Sequence, residues 1–238
     1  MSADAAVFWN DERHGPLVVL LLALTMVTGL VDSISYLKLG HVFVANMTGN
    51  VVFLGFAVAD SQEFSIPASL AAVAAFLGGA LAGGRLGSSA GKHRGRLLAL
   101  ATSIEVALIG AALVVSALAF DLDGERARYS LIVLLALTMG LQNAVARRLG
   151  VPDLTTTVLT LTLTGFAADS KMAGGRSTYR GRRLMATLSM LLGAAVGAVL
   201  IFHIGVIAVL AVALAMLGSV GLAGWRVSST TAPWTLGT

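Results

Sequence analysis

The chain has 238 residues, of which 57% are hydrophobic and only 12% charged, with no cysteine and a net charge of +4. A soluble domain carries about 25% charged residues, so this balance excludes one, and the missing cysteine excludes disulfides, thiolate catalysis and Cys-ligated metal. The basic residues sit in short loops beside apolar runs, where they set membrane orientation, so the positive charge is not a nucleic-acid signal.

Residues 1–16 are polar and mixed in charge. Eight membrane-competent segments follow: 17–37, 43–59, 65–87, 97–119, 129–148, 154–168, 184–203 and 205–225. About 20 apolar residues suffice to span a bilayer. The first segment lacks a small-residue cleavage signature and reads as a retained helix. The last two come from one run of 42 uncharged residues, Leu184 to Trp225. That is too long for a single helix, and the expected break is His203-Ile204-Gly205.

Charge counting decides how the short second and sixth segments are read. If all eight cross, neither orientation concentrates the sixteen basic residues. If the second and sixth enter and return on the same side, an inside N-terminus leaves only Lys38, Arg126 and Arg128 outside, so thirteen of sixteen are cytoplasmic. That is the positive-inside pattern. The fold expected is an all-α polytopic membrane protein with six transmembrane helices and two short re-entrant or broken segments. Residues 17–119 form one repeat and 129–225 a second, joined by an extracytoplasmic linker at 120–128, with a polar tail at 226–238. Both termini are cytoplasmic on this reading.

The two halves carry matching motifs. Gly29-Leu30-Val31-Asp32, Gly40, Met47-Thr48-Gly49-Asn50 and Leu54-Gly55-Phe56-Ala57 recur in order as Gly140-Leu141-Gln142-Asn143, Gly150, Leu159-Thr160-Leu161-Thr162 and Thr164-Gly165-Phe166-Ala167. Leu77-Gly78-Gly79-Ala80 is matched with Leu192-Gly193-Ala194-Ala195. Three spans per half, an odd number, insert the halves with opposite orientation, as in transporters built from inverted repeats with discontinuous helices.

Polar residues in apolar segments are expensive and mark sites. Asp32 either titrates as a coupling group or bridges the neighbouring broken segment; its counterpart Asn143 cannot ionise. Thr48, Gly49 and Asn50 interrupt an apolar stretch, where glycine lets the backbone leave the helix or approach another chain closely. They line a pathway or form a packing contact. Six threonines fall between Thr155 and Thr164. β-Branched residues favour extended backbone, so part of this run is expected to be unwound. Thr157, Thr160 and Thr162 line a pathway on the functional reading and bond back to their own helix otherwise. Glu105 is the only charge between Leu97 and Phe120 and is the second coupling candidate. Gln142 and Asn143 join the pathway set; Arg147 and Arg148 after them read first as an anchor at the cytoplasmic surface and second as substrate ligands. Gly79 with Gly83, and Gly193 with Gly197, read as helix-packing pairs. The histidines lack metal-ligand spacing, and no cofactor is expected.

The run Gly-x-x-Asp through Met-Thr-Gly-Asn, then Gly-Leu-Gln-Asn-Ala and the threonine run, resembles the YoaK-type family of bacterial membrane proteins over roughly residues 17–225. The resemblance implies a bacterial inner-membrane protein and supplies no substrate. Leu161 departs from the family, which often has glycine there, so the second broken element is expected to break less sharply than the first.

The leading functional expectation is a small-solute transporter or channel, proton-coupled through Asp32 and Glu105 if coupled at all. The alternative is a non-transporting membrane scaffold or assembly partner. An intramembrane enzyme ranks last, because no nucleophile or metal set accompanies the two acids. The expected partners are the lipid bilayer and an unidentified small solute, with no nucleic acid; a homo-oligomer stays open.

Overall fold

A computed structural model describes residues 14–59, 63–119, 124–154, 156, 159–169, 174 and 180–235. Among them run eight α-helices: α1 Leu17–Lys38, α2 Met47–Val58, α3 Ile66–Ala90, α4 Arg94–Leu118, α5 Glu125–Leu149, α6 Leu159–Ala168, α7 Arg180–His203 and α8 Val206–Val227. A 3-10 turn, Pro233–Thr235, follows. Six helices are long and apolar enough to cross a membrane, and α2 and α6 are not.

Local signals explain the helix boundaries. Ser65 opens α3 by accepting the Ala68 N–H at 3.3 Å, and Pro67 follows within the first turn, where a missing N–H is harmless. His93 opens α4 by accepting from Arg96 N through Nδ1 at 3.2 Å. Gly150 closes α5 in the left-handed region at φ 64°, the conformation glycine adopts without strain. The apolar run 184–225 breaks where expected: α7 ends at His203, Gly205 takes φ 123°, and its N–H donates to Leu200 O at 2.8 Å.

The short segments are shorter than expected from apolarity alone. Residues 42–46 are not helical, and α2 begins only at Met47. Likewise Leu154 and Thr156 precede α6 outside any helix, Thr156 with φ 64°. Thr160, Thr162 and Thr164 lie on α6, so unwinding touches only the start of the threonine run. Thr155 and Thr157 lie outside the described residues.

Packing is set by glycine faces. A Cβ on Gly79 would collide with the Leu137 backbone, one on Gly83 with Leu141, and one on Gly140 with Phe76 and Ala80. Residue numbers rise together along these contacts, so α3 and α5 run parallel. Gly29 meets Met190 and Ala194, Gly193 meets Met26, and Gly197 meets Leu30 and Ser33, so α1 and α7 are parallel too. Gly95, Gly221 and Gly224 meet Val227, Thr102 and Ala99, which makes α4 and α8 antiparallel. Small residues let helices approach to backbone contact where no hydrophobic force drives them together. By these contacts Gly79 plays the part of Gly193 and Gly83 that of Gly197. The sequence match of Gly78 with Gly193 is therefore out of register by one residue.

Each half thus lends its first helix to the other: α1 packs on α7, and α5 on α3. Those lent helices carry the core. Leu17, Leu21, Leu24, Leu30 and Ile34 on α1, and Leu131, Ile132, Leu135 and Met139 on α5, are fully buried. The apolar window of α1 is 72% buried against 22% for α7, so α1 is central and α7 presents most of its surface outward.

Candidate functional site

Asp32 is buried near the end of α1, and its Oδ1 accepts the Ala45 N–H at 3.0 Å. Ala45 lies in the non-helical stretch before α2, so Asp32 bridges to the neighbouring segment. Deeper bracing comes from Asn50. Its Oδ1 accepts the Phe43 N–H at 2.8 Å and its Nδ2 donates to Phe43 O at 2.6 Å. One side chain thereby satisfies both backbone groups of a residue outside any helix, which in an apolar setting would otherwise cost several kcal/mol. Asn46 caps α2 by accepting from Gly49 N at 3.3 Å. Gly49 is there because of close approach: a Cβ would stand 2.7 Å from the Phe43 ring. At the matching place in α6, Leu161 is 71% exposed and points outward.

The ends of the two short helices are fastened differently. Near α2, Tyr36 stacks on Phe43 (5.1 Å), Phe43 on Phe53 (5.7 Å) and Phe53 on Phe64 (4.5 Å). That column joins the end of α1 to Phe64, two residues before α3. Near α6, Arg183 of α7 donates to Asp169 Oδ2 at 2.6 Å, and its Nε lies 2.9 Å from Asp153 Oδ2. That cluster joins the end of α6, the loop after α5 and the start of α7.

Two cavities meet at the starts of α2 and α6. The larger, about 960 Å³, is lined by Met47, Thr48, Gly49, Phe76, Ala80, Asn143, Ala144 and Arg147. The smaller, about 430 Å³, is lined by Asp32, Ser33, Tyr36, Phe43, Met190 and Ala194. Ala45, Asn46, Leu159 and Thr160 line both. The linings match position by position: Asn143, Ala144 and Arg147 in one stand where Asp32, Ser33 and Tyr36 stand in the other. Phe76 and Ala80 likewise answer Met190 and Ala194.

The residues singled out from the sequence divide accordingly. Thr48, Gly49, Asn143 and Thr160 line the larger cavity, and Asp32 and Thr160 the smaller. Asn50, Gln142 and Thr162 are buried and line neither. Gln142 ties the halves together, donating through Nε2 to Thr28 Oγ1 at 2.9 Å and Leu24 O at 3.3 Å. Glu105 is buried in α4, its Oε2 without a hydrogen-bond partner among the described residues, and it lines neither cavity. Thr157 lies outside the described residues. Asn46 and Tyr36 were not singled out. Asn46 was legible in principle, as an asparagine one residue before a helix start.

Six apolar helices with two short helices beside a pair of cavities define a multi-pass α-helical membrane protein. The family described as "Protein of unknown function (DUF1275)" matches residues 20–223, and the chain belongs to that family. It is 37% identical over 150 residues to "UPF0700 transmembrane protein YoaK" of Bacillus subtilis (strain 168); the match covers 63% of this chain and 65% of that protein. No solved structure matches.

Proposed function

We propose that this protein passes a small polar solute across the bacterial inner membrane, through a path between the starts of α2 and α6. Both short helices enter the membrane and return, leaving six spans with the termini in the cytoplasm. Helix directions support that count. Consecutive spans alternate, so if α6 crossed, α4 and α8 would be parallel; they are antiparallel. If α2 alone crossed, α1 and α7 would be antiparallel; they are parallel. The two halves are then inverted repeats, with α1 and α5 pointing in opposite directions.

The carrying observation is the pair of matched cavities. Tyr36 lies near the end of α1 and Arg147 near the end of α5, so the smaller cavity leads toward one face and the larger toward the other. Ala45, Asn46, Leu159 and Thr160 form the partition between them. Broken backbone at membrane depth is stable where water or protein surrounds it, and aqueous cavities provide that surrounding. Discontinuous helices meeting between inverted repeats are how many transporters form a solute site. Asp32 and Glu105 remain the candidates for proton coupling, Asp32 facing the smaller cavity and Glu105 within the bundle.

The absence of cysteine gives the test. Single cysteines at Asn46, Thr160, Glu63 and Gly174 are labelled from each side with a membrane-impermeant thiol reagent. Labelling of Glu63 from outside, Gly174 from inside and both partition residues from an aqueous side is the expected result. Partition residues that stay dark in every condition favour the scaffold reading. Labelling of Glu63 and Gly174 from the same side returns the eight-span topology.

A further inference from the structure

The two cavities differ in charge, and the difference is confined to matched positions. Among the described residues, the only charged side chain that lines the larger cavity is Arg147. Among the described residues Arg147 has no carboxylate within ion-pair distance. The position that carries Asp32 in the smaller cavity is Asn143 here, so among the described residues no acid lines the larger cavity to neutralise the guanidinium. Asp32 itself turns Oδ1 to the Ala45 N–H.

The structure also separates Arg147 from its neighbour. Arg148 lies along α3, its Cγ 3.2 Å from where a Cβ on Gly87 would stand and its Nε 3.1 Å from one on Gly91. The adjacent arginines are equal as orientation signals, since that rule counts charge in the loop. Only Arg147 faces the cavity. An arginine used only to anchor the span has no need of that placement. A guanidinium presents a planar fork of donors suited to carboxylate and other oxyanions, and arginines in pore walls select anions.

We infer that the larger cavity receives a small oxyanion, held by Arg147 with the Thr48 hydroxyl beside it; the Asn143 amide on the same wall already donates to Met139 O at 2.8 Å. This rests on the transport reading and narrows its substrate class. A lipid phosphate group shares that chemistry, so the test separates a free anion from a lipid headgroup.

The experiment uses the full chain in liposomes. Stopped-flow light scattering follows entry of formate, nitrate, urea and glycerol into wild type, R147Q, R147K and R148Q. The expected result is faster entry of formate or nitrate than of urea or glycerol, reduced about tenfold or more in R147Q. R147K retains part of the flux, and R148Q stays close to wild type. If urea or glycerol passes and the anions do not, the anion inference falls while the transport reading stands. If R147Q and R148Q slow the anions equally, Arg147 acts through topology and the inference falls. If R147Q leaves anion entry unchanged but lowers the melting temperature only when phospholipid is present, Arg147 seats a headgroup and the inference again falls. If no solute enters above the protein-free rate, both readings fall together.

Discussion

Asn50 holds the N–H and the C=O of Phe43 at once, at 2.8 and 2.6 Å. The two residues belong to antiparallel legs of one short hairpin: a non-helical leg from Val42 to Asn46 and the helix α2. What reads in sequence as a pathway residue is, in the fold, the brace that lets a broken segment exist.

Asn50→Ala orphans both Phe43 groups. A buried unsatisfied group costs about 1–3 kcal/mol, so unfolding in detergent is expected to show a loss of about 2–6 kcal/mol for the two. Asn50→Asp keeps the acceptor for Phe43 N and loses the donor to Phe43 O, and is expected to fall between. A wild-type melting temperature for the alanine variant would mean the leg has no need of the brace.

Gly79→Ala and Gly193→Ala push a methyl into the backbones of Leu137 and Met26. Neither backbone can yield without parting α3 from α5 or α1 from α7. Each is expected to destabilise by about 1–3 kcal/mol as overpacking does. Gly110→Ala and Gly218→Ala meet nothing within 4 Å, and helix propensity favours alanine by about 1 kcal/mol. Thermal melts of the four variants should therefore split into two pairs of opposite sign.

Arg183→Gln removes the ion pairs to Asp153 and Asp169, whose side chains are 20% and 50% exposed. Partly exposed pairs are worth about 0–1 kcal/mol, so global stability should hardly change. The local effect is larger, because these contacts fasten the end of α6. Cysteine at Thr160 should label several-fold faster in this background, while cysteine at Thr48 in α2 should be unaffected. Equal acceleration at both sites would point to general loosening instead.

Asp32→Asn retains an oxygen to accept from Ala45 N, and the matched position in the other half carries asparagine, Asn143. Folded yield should match wild type, whereas Asp32→Ala should lose yield by stranding the Ala45 N–H. If Asp32 carries the coupled proton, Asp32→Asn removes the pH dependence of flux. Flux through Asp32→Asn that responds to pH as in wild type would leave Asp32 as a bridge alone.

Much of the site was legible and part of it was displaced. The Met-Thr-Gly-Asn motif falls on the hairpin that borders both cavities, and the Asp of Gly-x-x-Asp, on α1, bonds to that hairpin at Ala45, because polar residues in lipid need a structural reason wherever they sit. Sequence could not assign each residue its duty. Thr48 and Asn50 are two residues apart, yet Thr48 lines the larger cavity and Asn50 turns inward to Phe43. Which way a side chain points depends on the partner leg, and nothing local to Asn50 specifies Phe43. Arg147 and Arg148 were alike as charges, and only the glycine face of α3 told them apart.

By itself the sequence determined that the chain lives in a membrane, where its spans lie and where the long final run breaks. Those properties follow from the length of apolar runs, loop charge and glycine positions, all local quantities. The tertiary structure alone decided that α1 and α5 exchange partners between halves, that Gly79 answers Gly193, and that two matched cavities meet at Asn46 and Thr160. In a bilayer apolarity does not distinguish one helix from another. Pairing is settled by which glycine faces fit at backbone contact, and that shape exists only once both helices are placed.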